Sequence, residues 1–203
     1  FTEAELASLP GRTAVLARFA AVQRPAAYLA VFLECLVEPV SIWLRRAMAE
    51  GGAQAERAAV LVDEGMDALL GFIGRQGMVH FDTHLDNLLT DGEALYLSDF
   101  GLASCPQFAL DDDERPFLAA HGDYDAARFA SSLVQTLVTS QGLGWRDYLG
   151  SPDRFNAGAL PSSVQRIYRR HAPLAHALCE LSRRLQRDSK LCPYPAAELR
   201  RLP

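Results

Sequence analysis

Apolar positions recur at helical spacing over much of the chain. Between residues 54 and 75 they repeat every three or four positions, which predicts one long helix with a single buried stripe, ended by Gly77. The members of that stripe are Ala58, Leu61, Val62, Met66, Leu69, Leu70 and Ile73. Similar patterns predict helices at residues 2–9, 40–49, 125–140, 162–170 and 173–187, with Glu38-Pro39 breaking the chain before the second of them.

Short apolar runs predict the strands. Residues 13–22 and 27–35 are rich in Val, Leu, Phe and Tyr and are separated by Arg24-Pro25, which predicts two strands joined by a turn. Residues 88–90 and 94–98 flank Asp91-Gly92, a strong hairpin signal. Because strands and helices are segregated along the chain, we expect an α+β fold.

Two segments carry no regular pattern. Residues 102–122 contain two prolines and the acidic run 111–114, and they predict an irregular loop. The run fits either a solvated loop or attraction of a cationic substrate. The tail contains Pro193, Pro195 and Pro203, and it predicts a surface segment.

Composition narrows the classes of function. The 203 residues are 49% hydrophobic and 22% charged, as in ordinary globular proteins, and suffice for one domain or two small lobes. A net charge of −5 disfavours binding to nucleic acid. The most apolar stretch, 26–33, ends at Glu34 and is too short for a membrane helix. Four cysteines without a C-x-x-C pair, and no signal peptide, predict a cytoplasmic protein with reduced thiols.

Polar residues with candidate chemistry concentrate between residues 79 and 104. His80, Asp82, His84 and Asp86 alternate, so on a strand all four would face one side, where they could bind Zn²⁺ or Fe²⁺. Such a site needs further ligands, and the remaining histidines have no ligand-like spacing. A metal centre is therefore the weaker of two hypotheses.

The stronger hypothesis is a resemblance. His80-Phe81-Asp82-Thr83-His84-Leu85-Asp86-Asn87 fits the pattern H-x-D-x-x-x-x-N, and Asp99-Phe100-Gly101 is an unaltered D-F-G. Both motifs in this order, separated by a hairpin, resemble the protein-kinase-like superfamily, which includes serine/threonine protein kinases and aminoglycoside phosphotransferases. The resemblance covers about residues 1–190. It implies a protein-kinase-like fold, with an N-lobe remnant and hinge at 1–36 and a mostly helical C-lobe with a small catalytic hairpin at 37–203.

The resemblance also implies an activity, the transfer of the γ-phosphate of ATP to a hydroxyl with Mg²⁺ present. Asp82 would accept or orient the hydroxyl proton, Asn87 and Asp99 would bind Mg²⁺, and His84 would assist at the phosphate. His84 stands where protein kinases carry Lys, which looks more like the aminoglycoside and choline phosphotransferases. A structural role for His84 stays open.

Supporting roles follow from the same resemblance. His80 would pack against the D-F-G segment, with Phe100 in the core and Gly101 beside it. Asp125, or failing that Asp123, would hold the catalytic loop through backbone amides. The backbone of Glu34 and Leu36 would bind adenine, with Leu33 behind the pocket and Leu89 as its floor; an ordinary buried strand is the alternative.

The sequence departs from the family pattern in several places. Phe81 replaces the usual Arg, there is no A-P-E, and no glycine-rich loop or upstream Lys is present, since Lys190 is the only lysine. Glu3 and Glu5 are candidates for the Glu that would pair with that missing Lys. We expect the missing parts to lie upstream of Phe1 and these 203 residues alone to have little activity. The alternative is a pseudokinase that binds a nucleotide or a partner without turnover. A protein or small-molecule substrate and the oligomeric state stay open.

Overall fold

The structure is a computed structural model that describes residues 38–188 and 192–202, with positions 13, 16, 17, 20, 27, 32 and 34–36. The chain divides into two compact units, Phe1–Cys35 and Leu36–Pro203. The predicted helix at 2–9 and the residues Glu3, Glu5, Leu33 and Lys190 lie outside the described residues. That the first unit is an N-lobe remnant stays a prediction.

In the first unit, the strand predicted at 13–22 is wrong at every described position. Thr13, Leu16, Ala17 and Ala20 are helical. The segment contains several alanines, the strongest helix former, and this outweighed its content of Val, Leu and Phe. At the described positions within 27–36 the backbone forms no strand either, so the predicted hinge strand is not observed there.

The second unit is a mixed α+β structure that is mostly helical, as the sequence predicted. Its strands are β1 (Glu38–Pro39), β2 (Leu88–Thr90) and β3 (Leu95–Leu97). Its helices are α1 (Val40–Glu50), α2 (Gly52–Arg75), α3 (Glu114–Ala120), α4 (Tyr124–Ser140), α5 (Trp145–Gly150), α6 (Ser162–Arg187) and α7 (Ala196–Leu199). Short 3₁₀ turns cover Phe100–Leu102, Pro152–Arg154 and Ala157–Ala159.

The three strands form an antiparallel sheet in the order β1-β2-β3. The predicted hairpin is present, with Leu88 opposite Leu97 and Thr90 opposite Leu95. Glu38-Pro39, which was predicted only to interrupt the apolar pattern, forms β1 and pairs with β2. Proline is tolerated there because β1 is an edge strand and its nitrogen need not donate to the ladder.

The main core lies between the sheet and helices α1, α2, α4 and α6. Its fully buried side chains include Leu44, Met66, Leu88, Leu133 and Val164. Helix α2 approaches β3 closely at Gly65, where an added Cβ would lie 2.9 Å from the Leu95 side chain. The core therefore fixes the hairpin directly against the long helix predicted from the sequence.

Two predictions about elements of the second unit are wrong. Residues 162–187 form one helix, not two, because its apolar face, with Ile167, Ala175 and Leu178, is buried on both sides of Pro173. That burial offsets the backbone hydrogen bond that proline removes. The region 102–122 also contains a helix, α3. Immediately before α3, Asp111 Oδ1 accepts from the amide of Glu114 at 2.8 Å while Glu114 Oε2 accepts from the amide of Asp111 at 3.0 Å. This reciprocal pair is a capping signal inside the acidic run.

Candidate active site

Residues 80–87 form a loop between the core and the hairpin. The loop starts at an isolated bridge, in which Val79 and Ser104 exchange two backbone hydrogen bonds of 2.9 Å, and it ends at β2. Residues 80–86 are not a strand, so alternation along a strand does not place these four side chains on one face. The premise of the metal-site hypothesis is therefore wrong.

Asp125, at the start of α4, fixes this loop through hydrogen bonds. Its carboxylate accepts from the amides of His80 at 2.7 Å and Phe81 at 2.8 Å, and its carbonyl accepts from Thr83 Oγ1 at 2.7 Å. Burial raises the pKa of Asp125, and the two amides oppose that rise by stabilising the charged form. Asp123, the other candidate, instead bonds to Arg200 at the surface, at 2.7 Å.

Two non-glycine residues of the site adopt left-handed backbone conformations. These are Phe81, with φ of 66°, and Asp99, with φ of 57°. Such conformations cost free energy in residues with a Cβ and persist only where neighbouring contacts enforce them. At Phe81 the enforcing contact is the bond from its amide to Asp125.

His80 is fully buried and links the loop to the D-F-G segment. Its Nδ1 accepts from the amide of Asp82 at 3.2 Å, so its Nε2 carries the hydrogen and donates to the Ser98 carbonyl at 3.0 Å. The ring meets the Phe100 ring edge-on at 4.8 Å. Phe100 is 47% exposed, so it contacts His80 without being the core residue that we expected. Both nitrogens of His80 are used in structural bonds.

Asp82 lies at the centre of the polar cluster. Asn87 Nδ2 donates to its carbonyl and to its Oδ2, each at 3.0 Å. His84 Nε2 is 3.4 Å from Oδ2, and Arg128 Nη2 is 3.8 Å from Oδ1. The Asp82 side chain is 29% exposed, so the carboxylate is held from several sides and still reachable from solvent.

The orientation of His84 follows from its other nitrogen. Nδ1 accepts from the amide of Asp86 at 3.2 Å, so in the neutral ring the hydrogen is on Nε2, the nitrogen that faces Asp82. Asp86 itself accepts a hydrogen bond from Ser41 on α1. His84 therefore presents a donor at the same carboxylate oxygen that Asn87 contacts.

The hairpin brings the backbones at Asn87 and Asp99 close together. The amide of Ser98 donates to the Asn87 carbonyl at 2.9 Å, the Ser98 hydroxyl donates to it at 2.8 Å, and Asp99 is the next residue. The Asp99 carboxylate is exposed, and Gly101 N–H lies 3.4 Å from its Oδ1. Asn87 uses its side-chain nitrogen on Asp82, and no hydrogen bond to its side-chain oxygen is seen among the described residues.

A carboxylate and an amide oxygen are a donor set that suits Mg²⁺, which usually takes few protein ligands and completes its shell with water and phosphate. The residues present fit that ion. Among residues 38–188 and 192–202, by contrast, no group of three or more His, Cys, Asp or Glu side chains is arranged to hold a metal. The side chains of His80, Asp82, His84 and Asp86 do not form such a group.

Arg128 is a member of the site that sequence reasoning missed. It lies on α4 one turn after Asp125, which places both side chains on the face of the helix that meets the loop. The three-residue spacing from Asp125 was the signal in the sequence that could have identified Arg128. Its guanidinium faces Asp82 and adds positive charge to a region of the chain without lysine.

The structure describes three of the four predicted adenine-binding residues, Glu34, Leu36 and Leu89. Leu89 is half-buried in β2, whereas Glu34 is exposed and belongs to the first unit. Leu36, half-buried, is the first residue of the second unit. An adenine site formed by these residues stays a prediction.

Comparison with models of protein families and with curated proteins gave no match to this chain. Within the part of the chain that the structure describes, none of the helices combines the length and the apolar character needed to cross a bilayer.

Proposed function

We propose that the chain carries the catalytic lobe of a protein-kinase-like phosphotransferase, which moves the γ-phosphate of ATP to a hydroxyl of a protein or small molecule. The observation that carries the proposal is the set of contacts around Asp82. Asn87, His84 and Arg128 surround its carboxylate, and Asp125 fixes the loop beneath it. A loop whose backbone is strained and clamped in this way is typical of a preorganised site.

The proposed reaction is an in-line displacement. The acceptor oxygen forms a new bond to the γ-phosphorus, and the bond from that phosphorus to the β,γ-bridging oxygen breaks, with the electron pair leaving on ADP. Asp82 orients the acceptor hydroxyl and accepts its proton. Asn87 and His84 hold the Asp82 carboxylate in position, because both place donor groups at Oδ2.

Charge neutralisation is divided among several groups. Asp99 and the side-chain oxygen of Asn87 would hold Mg²⁺, which when bound offsets the charge of the phosphates. Arg128 places a second cation near the reacting groups. The nucleotide's remaining contacts would come from residues of an N-lobe, as the resemblance implies.

The test is ATP consumption by the natural full-length protein with Mg²⁺ and a panel of hydroxyl acceptors. We expect Asp82→Asn to lower kcat/KM by about 10²–10⁴-fold, because the proton acceptor is lost. Asp99→Asn should raise the Mg²⁺ concentration needed for half-maximal rate. Asp67→Asn is the matched control, since among the described residues Asp67 pairs with Arg170 alone, on the surface of α2 and α6.

Two results would argue against the proposal. Equal activity of Asp82→Asn and wild type would remove the proposed base. Binding of MgATP without turnover of any acceptor, and without hydrolysis, would favour the alternative of a pseudokinase.

A further inference from the structure

The two carboxylate oxygens of Asp82 lie in different surroundings. Oδ2 accepts from Asn87 Nδ2 at 3.0 Å and lies 3.4 Å from His84 Nε2. Oδ1 accepts no hydrogen bond within the part of the chain that the structure describes, and its nearest cationic atom is Arg128 Nη2 at 3.8 Å. Each carboxylate oxygen can accept two hydrogen bonds. Oδ1 is therefore the oxygen of Asp82 with room for the hydroxyl of an acceptor.

The guanidinium of Arg128 lies beside Oδ1 without bonding to it. A separation of 3.8 Å allows electrostatic attraction but is too long for a hydrogen bond. No hydrogen bond from this guanidinium to another described residue is seen, and the side chain is 30% exposed. A guanidinium carries five N–H donors in a fixed plane. These donors are available to a molecule that enters from solvent.

Helix α4 fixes the base of this side chain relative to the loop. Arg128 follows Asp125 by one turn, and the Asp125 carboxylate bonds to two backbone amides of the loop that carries Asp82. The next turn of α4 is anchored in the core by Phe129 and Leu133, which are at most 1% exposed. The position of the guanidinium beside the carboxylate is thus set by packed elements.

The other carboxylates near Asp82 face different groups. Asp86 lies on the opposite edge of the His84 ring, with 3.6 Å between its Oδ2 and Nδ1. Asp99 holds Mg²⁺ in the reaction proposed above. Among the described residues, Arg128 is therefore the permanent cation nearest to an acceptor that is bound at Oδ1.

A guanidinium binds carboxylate and phosphate groups with two parallel hydrogen bonds. Because Nη2 and Oδ1 are 3.8 Å apart, an acceptor whose hydroxyl donates to Oδ1 has its neighbouring substituents within reach of Arg128. An anionic substituent there is attracted, and an ammonium group is repelled. The guanidinium also offsets the repulsion between a bound anion and the charge of Asp82.

We infer that Arg128 binds the acceptor of the reaction proposed above, and that this acceptor carries a carboxylate or a phosphate within one or two carbons of its reacting hydroxyl. The hydroxyl donates to Asp82 Oδ1, and the anionic group pairs with the guanidinium. The inference rests on the proposed function. It separates hydroxy acids and phosphorylated alcohols from choline-like and aminoglycoside acceptors.

The test measures binding of three-carbon alcohols to the natural full-length protein by NMR titration, without ATP or Mg²⁺. The probes are glycerol, glycerate, glycerol 3-phosphate and 3-amino-1,2-propanediol, which share two hydroxyls and differ in charge. We expect the better of the two anionic probes to bind about 10- to 100-fold more tightly than glycerol, the contribution of charge-assisted hydrogen bonds. The amine should bind more weakly than glycerol.

Two variants of Arg128 test its role. Arg128→Leu should reverse the order, so that the anionic probes bind more weakly than glycerol, because the charge of Asp82 then repels them. Arg128→Lys keeps the ion pair but loses the planar fork, and it should retain only part of the preference. Arg169→Leu is the matched control, since Arg169 is exposed on α6 and bonds to Gln165 of the same helix at 3.2 Å. Thermal unfolding shows that each variant is folded.

The outcomes are distinct. A preference for an anionic probe that is lost in Arg128→Leu, reduced in Arg128→Lys and kept in Arg169→Leu supports the inference, and the tighter anionic probe identifies the group. No preference over glycerol, or a preference unchanged in both Arg128 variants, overturns it. If an anionic probe binds through Arg128 and no acceptor is phosphorylated, the proposed reaction fails and the anion site remains. If MgATP phosphorylates glycerol as efficiently as the anionic probes, the reaction stands and the inference fails.

Discussion

At the scale of single residues, one buried carboxylate organises the candidate site. Asp125 accepts from two consecutive loop amides and is 4% exposed, whereas Asp123, two residues earlier, makes a surface ion pair. The two positions have the same side chain and nearly the same place in the sequence. They therefore allow a direct comparison of a buried carboxylate bonded to backbone amides, called the clamp below, with a carboxylate in an exposed ion pair.

We expect Asp125→Ala to lower the free energy of unfolding by about 2–4 kcal/mol, because it leaves the buried amide of His80 and the partly buried amide of Phe81 without an acceptor. Asp123→Ala should lower it by less than about 1 kcal/mol, since exposed ion pairs contribute little. Urea unfolding of both variants measures the difference. Equal losses would show that the clamp is no more than a surface interaction.

At the scale of elements, the chain leaves the end of α2 at Gly77 and turns toward the loop of residues 80–87. Gly77 has φ of 69°, and an added Cβ would lie 3.2 Å from the Pro106 ring. Gly74, three residues earlier, is within the last turn of α2 and an added Cβ there would meet nothing within 4 Å. Only the first of these glycines is required by the structure.

Gly77→Ala should therefore lower the free energy of unfolding by about 1–2 kcal/mol, the cost of a left-handed residue with a Cβ. Gly74→Ala should raise it by about 0.5–1 kcal/mol, because alanine favours the helix. Thermal and urea unfolding of the pair give the sign of each change. A stabilised Gly77→Ala would mean that α2 does not end in the observed turn.

At the scale of the whole molecule, α6 joins distant parts of the second unit and carries histidines inside it. His176 lies 5.2 Å from the Tyr148 ring, and its buried Nε2 has no hydrogen-bond partner within the described residues. Burial lowers the pKa of His176 because the charged ring loses hydration. The folded protein therefore resists protonation at this position more than the unfolded chain does.

This difference gives stability a defined pH dependence. With the folded pKa below the unfolded value of about 6.5, the unfolded state binds the proton first as the pH falls. The contribution of His176 is complete above that value and is lost progressively below it. In urea unfolding between about pH 5 and 7, His176→Phe should show a smaller decrease in stability than wild type. Identical slopes for the two proteins would contradict the assignment.

The contribution of the sequence differs from element to element. Long helices such as α2 and the Asp91-Gly92 hairpin were predictable, because each has a local signal in periodicity or turn chemistry. The strand predicted at 13–22 was wrong at its described positions, since apolar composition there was weighed above alanine content. Helix α3 was missed although the reciprocal caps of Asp111 and Glu114 were visible as a spacing.

For the candidate site, the sequence by itself identified the residues that we propose carry the chemistry, since the motif spacing names Asp82, Asn87 and Asp99. Only the tertiary structure decided that Asp125, rather than Asp123, clamps the loop, that Arg128 joins the cluster, and that His80 bonds to backbone groups. It also brought Phe81, Phe117, His121, Tyr124 and Tyr194, which are far apart in parts of the sequence, to the lining of one cavity. Contacts between residues distant in sequence depend on how helices pack, and a local pattern does not encode that packing.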